Sequence, residues 1–467
     1  MQHRYDFVVV ANRLPLDRTD TPDGVVWQPS PGGLVSAVEP IMRRANGVWI
    51  GWTGAADEAP ESFQADGMTL MAVGLSRREI AEYYEGFCNA TLWPLYHDVI
   101  VAPEFHRRWW ESYVAVNRRF AEAAAAAAAD GATMWVHDYQ LQLVPGILRE
   151  LRPGLRIGFF NHTPFPGYEI FAQLPRRRQI VEGLLGASLL GFQRRSDTTN
   201  FLRACRRAAG LTTRGNDVIV GGNGVERMVR TEAFPISIDV DAMDELAARD
   251  DVQARAKEIR AAVGDPQTVL LGVDRLDYTK GILHRLKAFE ELLADGSIEP
   301  DQVRMLVVAA PSRERVEQYQ LLREEVEATV GRINGEYATV GHPPVHYLHH
   351  SYPKDEMAAF FLSADVLLVT SLRDGMNLVA KEYVAAHRDE RGVLVLSEFA
   401  GASDELTSAL LVNPHDIEGL KRAMMTAIRM PPPEVRRRMR ALRRRVREND
   451  VTTWADRFLT RLRATPP

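Results

Sequence analysis

Only two cysteines, Cys88 and Cys205, occur in the 467 residues. That is too few for a disulfide framework and fits a reducing compartment. No run of about 20 apolar residues exists, so no segment is expected to span a bilayer. The opening MQHRYDFVVVANR holds an acid inside its short apolar run and no cleavage site follows, so it is not expected to be a signal peptide. Neither sign of charge dominates. The 57 Lys and Arg stand against 62 Asp and Glu, a net charge of −5, which gives no electrostatic case for nucleic acid or a membrane surface as partner. A cytoplasmic protein is the expectation. Common catalytic signatures are missing as well. There is no G-x-x-x-x-G-K-[ST] phosphate loop, no G-x-G-x-x-G fingerprint and no G-x-S-x-G elbow.

What the sequence does contain is alternation. Short runs rich in Val, Ile and Leu, at 7–10, 133–136, 156–160, 187–192, 268–272, 305–308, 366–370 and 393–396, are separated by amphipathic helical stretches. Continuous rather than alternating apolar strands indicate parallel sheets covered on both faces. The strand-then-helix series runs once to about Phe234 and restarts at Val269, after a polar helical stretch from Asp241 to Ala262. The fold class expected is α/β, with two doubly wound Rossmann-like domains facing a cleft. The boundaries expected are 1–235, 236–450, and a last segment 451–467 crossing back to the first domain. AEAAAAAAAD, residues 121–130, reads as a helix end closed by Asp130-Gly131. EVRRRMRALRRRVREND reads as a surface helix, with Val435, Met439, Leu442 and Val446 as its apolar stripe. VHYLHH, with His346, His349 and His350, reads as a strand end rather than a metal site.

Four segments could carry chemistry. SLRDGMNLVAKE, residues 371–382, follows a strand and opens a helix. Its first amides, at Leu378 and Val379, and its dipole suit a diphosphate, and Glu382 one turn in could accept from ribose hydroxyls. An ordinary N-cap by Asp374 or Asn377 is the equally weighted plain reading. GVDRLDYTKG, residues 272–281, sets Arg275 and Lys280 in a loop at another strand end, where a fork and a point charge can converge on one diphosphate. VHDYQL and IGFFNHTPFP place Asp138 and His162 just past strands of the first series. ANRLP and SPGGLV supply Arg13 as a phosphate anchor and Gly32 and Gly33 for close backbone approach. Between them, DRTDTPDGVVWQPS has the composition of a mobile polar loop.

NRLP with PGGL, NATLWP, HDYQL, FPISID, VDRLDYTKG, LRDGMNLVAKEYVA and LSEFAGASDEL occur in that order, from about Val8 to Trp454. The ordered set resembles the trehalose-6-phosphate synthase family, retaining glycosyltransferases of the GT-B fold. The resemblance implies transfer of glucose from a nucleotide-glucose, UDP- or GDP-glucose, to glucose 6-phosphate. No cofactor or metal is implied, because the nucleotide sugar is a substrate.

By the same resemblance Arg13 and Arg313 hold the acceptor phosphate, Tyr84 and Trp93 line the acceptor pocket, and Asp138 binds acceptor hydroxyls. His162 contacts the 6-hydroxyl of the donor glucose. Arg275 and Lys280 take the diphosphate, and Gly33 lies beside it. Asp374 binds donor sugar hydroxyls, and Tyr352 stands near the nucleotide. Leu378, Val379, Ala380 and Lys381 give backbone and packing contacts, and Glu382 takes the ribose. His162, Arg275, Lys280 and Asp374 are the implied catalytic set. Two departures stand out. Asn161 and Thr163 bracket His162 where relatives read L-H-I, and Leu174-Pro175-Arg176-Arg177 replaces a P-W-R stretch. The alternative is the same fold with another phosphorylated acceptor, as in glucosylglycerol-phosphate synthase or a pseudo-glycosyltransferase. A catalytically silent subunit is disfavoured by the presence of Arg275, Lys280, Asp374 and Glu382. Nucleobase and homo-oligomeric state stay open.

Overall fold

The structure is a computed structural model and describes residues 4–21, 24–29, 38, 42, 47–65, 67–222 and 225–466. Gly32 and Gly33 lie outside the described residues. The chain divides into two compact units, Met1–Ile236 with Thr452–Pro467, and Ser237–Val451. Among the described residues no helix is long and apolar enough to cross a membrane.

The first unit is built on ten strands of one sheet. They are β1 (Tyr5–Arg13), β4 (Gly47–Trp52), β5 (Phe63–Ala65), β6 (Met68–Ala72), β7 (Ala128–His137), β8 (Arg156–Phe160), β9 (Leu189–Phe192), β10 (Thr212–Arg214), β11 (Asp217–Gly222) and β12 (Val225–Ala233). Their order is β10-β11-β12-β9-β8-β7-β1-β4-β6-β5. The run from β12 to β6 is parallel, and the strands of its middle are almost wholly buried, as helices on both faces require. Antiparallel strands close both edges: β10 and β11 at one, β5 at the other. Chain order reverses at β1, with β4 on one side and β7 on the other. The carboxyl ends of β1 and β7 therefore border a topological switch point, where open α/β sheets bind ligands.

The second unit has six strands: β13 (Thr268–Arg275), β14 (Val303–Ala310), β15 (Val345–Leu348), β16 (Val366–Val369), β17 (Val393–Ser397) and β18 (Leu410–Val412). The order β15-β14-β13-β16-β17-β18 is wholly parallel, and the switch point falls between β13 and β16. Its apolar core joins Leu270, Met305, Val307, Leu368 and Val395 to Leu286, Phe289 and Val326 on the covering helices. Both units are Rossmann-like.

Three local readings need correction. Residues 17–21 and 24–29 are no featureless loop, for β2 (Leu16–Thr21) pairs antiparallel with β3 (Gly24–Pro29). Between them, Thr21-Pro22-Asp23-Gly24 has the composition of a turn. The alanine run leaves its helix at Ala127, and Ala128–Gly131 already belong to β7. Pairing with β1, where Tyr5 faces Ala128, overrides alanine's helix propensity. The polar stretch 241–262 is two helices, Val240–Ala248 and Asp250–Ala262, with Arg249 extended between them. The arginine-rich helix, Pro432–Glu448, buries Met439, Leu442 and Val446 as its stripe predicts.

The last helix, Val451–Ala464, packs on the first unit from Thr452 onward. Phe458 stacks on Trp135 at 4.9 Å and meets Phe234 edge-on at 5.2 Å. Trp454 donates its indole N–H to the Phe234 carbonyl at 3.1 Å. Gly158 on β8 and Gly191 on β9 make the seat, because a Cβ on either would stand within 3.0 Å of the Phe458 ring. Phe458→Ala should therefore cost the first unit about 3–5 kcal/mol. Denaturant unfolding followed by tryptophan fluorescence should show that unit's transition moved to lower denaturant. An unchanged midpoint would mean that the helix adds nothing to the fold.

Candidate functional site

In the first unit, Arg13 ends β1. Its guanidinium carbon lies 5.1 Å over the Trp52 ring, and Tyr84 meets the same ring edge-on at 5.5 Å. Gly54, at φ 95°, leaves the space for that guanidinium, since a Cβ there would sit 2.3 Å from it. Tyr84 comes from Ile80–Leu92, wound as a π-helix after the Ser76–Glu79 capping box. Gly86 in that segment admits the Trp109 ring. Trp93 follows directly and packs against Tyr139 at 5.6 Å. Arg13, Tyr84 and Trp93 thus line elements of one unit, with Trp52 as an aromatic that the sequence reading did not single out.

Asp138 follows β7 at a strained φ of 74°. Its carboxylate accepts the backbone N–H of His162 at 3.0 Å, and its own N–H reaches the Phe160 carbonyl at 2.8 Å. The end of β7 and the end of β8 are tied together this way. Asn161 donates its side-chain amide to the Thr163 carbonyl at 2.6 Å, and both residues are buried. The two departures around His162 therefore form one internal brace of the turn. The His162 ring packs on Phe160 at 4.6 Å and on Trp454 at 6.3 Å. Its Nε2 lies 3.1 Å from Nδ1 of His137, a residue absent from the sequence expectations. His162 keeps an exposed edge, yet burial holds it down to about 3. Burial, and then the neighbouring His162, keep His137 well below the usual histidine range.

In the second unit, Gly272 on β13 gives room to the Arg285 guanidinium, which a Cβ would meet at 2.5 Å. Arg285 is fully buried, binds the Asp274 carboxylate, and donates to the Leu368 carbonyl on β16 at 2.8 Å. Lys280 reaches Asp374 at 2.6 Å, across the switch point. Asp374 also accepts from Ser371 and Asn377, both at 3.3 Å. Gly281, at φ 62°, has no room for a Cβ, which would lie 2.1 Å from the Thr370 carbonyl oxygen. Arg275 stands exposed at the end of β13.

Asn377, not Asp374, caps the helix Leu378–Ala386, accepting the Ala380 N–H at 3.0 Å. The amides of Leu378 and Val379 lie at the positive end of that helix, beside Lys280 and Asp374. Glu382 hydrogen-bonds to no described side chain or backbone group. Burial raises its carboxyl against the pull of Lys354. Lys381 faces inward and pairs with Glu405 at 2.6 Å. Burial lowers Lys381, and Glu405 offsets part of that. Tyr352 lies edge-on to Phe360 at 4.9 Å.

Arg313 lies in the loop after β14. It has φ 48°, is mostly buried, and donates to Asp277 at 2.9 Å and to the Tyr319 hydroxyl. Burial alone would raise Asp277, but Arg313, Arg275 and Lys280 hold it well below the usual carboxylate range. His349 is spent on the Ala309 carbonyl at 3.0 Å, as a strand-end histidine should be.

Comparison with known proteins agrees with this geometry. Residues 5–464 match glycosyltransferase family 20. The trehalose-6-phosphate synthase of Mycobacterium avium (strain 104) is 58% identical over 472 residues, covering 99% of this chain and 96% of that protein. That of Mycolicibacterium gilvum is 56% identical over 474 residues, covering 99% and 94%. Among solved structures, an alpha,alpha-trehalose-phosphate synthase (UDP-forming) from Burkholderia xenovorans in complex with glucose-6-phosphate superimposes with a TM-score of 0.89 at 36% identity, covering 98% of this chain and 99% of that one. The E. coli protein bound with UDP-2-fluoro glucose gives a TM-score of 0.87 at 35% identity, covering 98% of each chain.

The two neutral histidines make a stability prediction. Below about pH 6.5 the unfolded chain binds protons on both rings that the native chain refuses, so more protons are bound when unfolded. Stability is complete above that pH and falls as pH drops, by up to about 1.4 kcal/mol per pH unit for each ring. Melting temperatures at about pH 7.5 and about pH 5.5 should differ more in the native chain than in His162→Gln. Equal differences would show that the ring is not held neutral.

Proposed function

The chain belongs to glycosyltransferase family 20, and we propose on that premise that it moves glucose, with retention, from a nucleotide-glucose to glucose 6-phosphate. The products are α,α-trehalose 6-phosphate and a nucleoside diphosphate. The observation that carries this is the closure of Lys280 onto Asp374 at 2.6 Å, beside the amino-terminal end of Leu378–Ala386 and at the switch point of the second sheet. A cation, a sugar-binding carboxylate and a helix N-terminus together suit a sugar diphosphate.

In this reading Arg275, Lys280 and the helix end stabilise the departing diphosphate, the part that a metal plays in other transferases. Glu382, one turn into the helix Leu378–Ala386, takes the ribose hydroxyls. Arg13 anchors the acceptor phosphate, with Tyr84 and Trp93 beside the sugar. The carboxylates of Asp138 and Asp374 are each engaged, by the His162 amide and by Lys280, so neither is offered as a covalent nucleophile. The anomeric hydroxyl of the acceptor then attacks C1 of the donor from the face of the leaving group. As the bond from C1 to the diphosphate oxygen breaks, that oxygen takes the hydroxyl proton. A cytoplasmic setting, with Cys88 and Cys205 reduced and buried, belongs to the same proposal.

Initial rates with UDP-, GDP- and ADP-glucose against glucose 6-phosphate test the reading and give the nucleobase. Turnover with glycerol 3-phosphate in place of glucose 6-phosphate would overturn it. Arg275→Ala should lose on the order of 10²–10³ in turnover, and native activity should survive EDTA. Near-normal turnover in the variant would sink the leaving-group role, and abolition by EDTA the metal-free one.

Arg13→Ala should depress kcat/KM for glucose 6-phosphate by roughly ten- to 150-fold, the loss of one charge-assisted contact. With unphosphorylated glucose, already a poor acceptor, the variant should lose little more. Equal losses on both acceptors would make Arg13 structural.

A further inference from the structure

His137 is almost fully buried at the end of β7, its ring 4.8 Å from Trp135 and 5.3 Å from His162. Its Nδ1 is shared with Nε2 of His162 at 3.1 Å, while its own Nε2 is buried with no hydrogen-bond partner. One proton lies between the two rings, and there are two ways to place it. If His162 donated, the remaining proton of a neutral His137 would sit on Nε2, a buried N–H without an acceptor. If His137 donates through Nδ1, only a bare lone pair is buried at its Nε2. An unmade donor carries the larger desolvation penalty, so the second arrangement prevails.

We propose that His137 is a positioning residue that fixes the tautomer of His162, so that His162 presents a protonated Nδ1 as a hydrogen-bond donor to the substrate sugar. The proposal rests on the transferase reading above, in which His162 meets the 6-hydroxyl of the donor glucose, and it adds the direction of that bond. The hydroxyl oxygen accepts, and its own proton is left for another partner. The backbone amide of His162 is already fixed by Asp138, so ring tautomer is the remaining freedom that His137 removes. With Nε2 of His162 occupied by His137, Nδ1 is the ring nitrogen left for a ligand.

The test uses the full chain and two substitutions. His137→Asn keeps an amide N–H near the place of Nδ1, and His137→Leu keeps bulk without a donor. Rates are measured with nucleotide-glucose and with its 6-deoxyglucose counterpart. With nucleotide-glucose, His137→Leu should lose roughly two- to tenfold in kcat/KM, as one neutral hydrogen bond is worth, and His137→Asn should recover most of it. With the 6-deoxy donor all three proteins should be alike. An equal loss on both donors, or no recovery in His137→Asn, would overturn the role.

A second readout needs no turnover. ¹⁵N spectra of histidine-labelled chain should show His162 protonated at Nδ1 in the native protein and as a tautomer mixture in His137→Leu. Protonation at Nε2 in the native chain would overturn the proposal. If instead the spectra agree and no donor is turned over, it is the transferase reading that fails.

Discussion

Lys280 and Asp374 meet across the gap between the ends of β13 and β16, and the second unit's site depends on that contact. Parallel strands at a switch point diverge at their carboxyl ends, and something must close the space to give fixed geometry. Backbone bonds do part of it. The Leu372 N–H reaches the Thr279 carbonyl at 2.7 Å, and the Thr370 hydroxyl reaches the carbonyls of Lys280 and Gly281, both at 3.1 Å. Arg285 does the rest from below, spanning Asp274 on β13 and the Leu368 carbonyl on β16. The loops carrying Arg275 and Asp374 are held before any ligand arrives, which is the condition for electrostatic stabilisation without reorganisation.

Buried ion pairs are a doubtful source of stability, because desolvation can exceed the Coulombic gain. The second unit nevertheless buries Asp274 with Arg285, Asp277 with Arg313 and Lys381 with Glu405. All three surround the loops after β13 and β16 rather than the distant end of the sheet. Their use is positional. Each pairing neutralises a buried cation next to those loops. Lys381 illustrates the point: next to Glu382 in the same helix, it is neutralised by Glu405.

Much of this was legible in the residues. Apolar runs located eight of the strands but not β4, although it is buried at every position; the restart at Val269 located the second sheet, and the loops after β13 and β16 were picked out by their cations and glycines. What was not legible has physical causes. The antiparallel pair of β2 and β3 has polar strands that periodicity does not flag, and only the Pro-Asp-Gly composition between them could have shown it. His137 lies one residue before Asp138 in HDYQL, and nothing in the sequence says that its ring turns toward His162. The pairing of Arg313 with Asp277, 36 positions away in sequence, is a tertiary fact. Asn161 and Thr163 depart from the L-H-I pattern, and nothing in the sequence shows that their mutual hydrogen bond spends their polarity inside the turn.

The two units use one topological device with opposite electrostatics. In the second, the switch point is lined by ions, which suits a ligand whose charge is fixed and large. In the first, Arg13 over Trp52 and the Asp138 carboxylate, engaged by the His162 amide, stand beside neutral groups: Tyr84, Trp93, and two histidines held uncharged by burial. Sugar hydroxyls are neutral and direction-sensitive, and they are distinguished by donors and acceptors whose protons stay in place. A histidine free to titrate near neutral pH would be a poor reader of a hydroxyl, since it would alternate between one donor and two. Packing His162 among Phe160, Trp454 and His137 removes that ambiguity. The carboxyl-terminal helix, packed on the first unit, supplies one of those walls through Trp454.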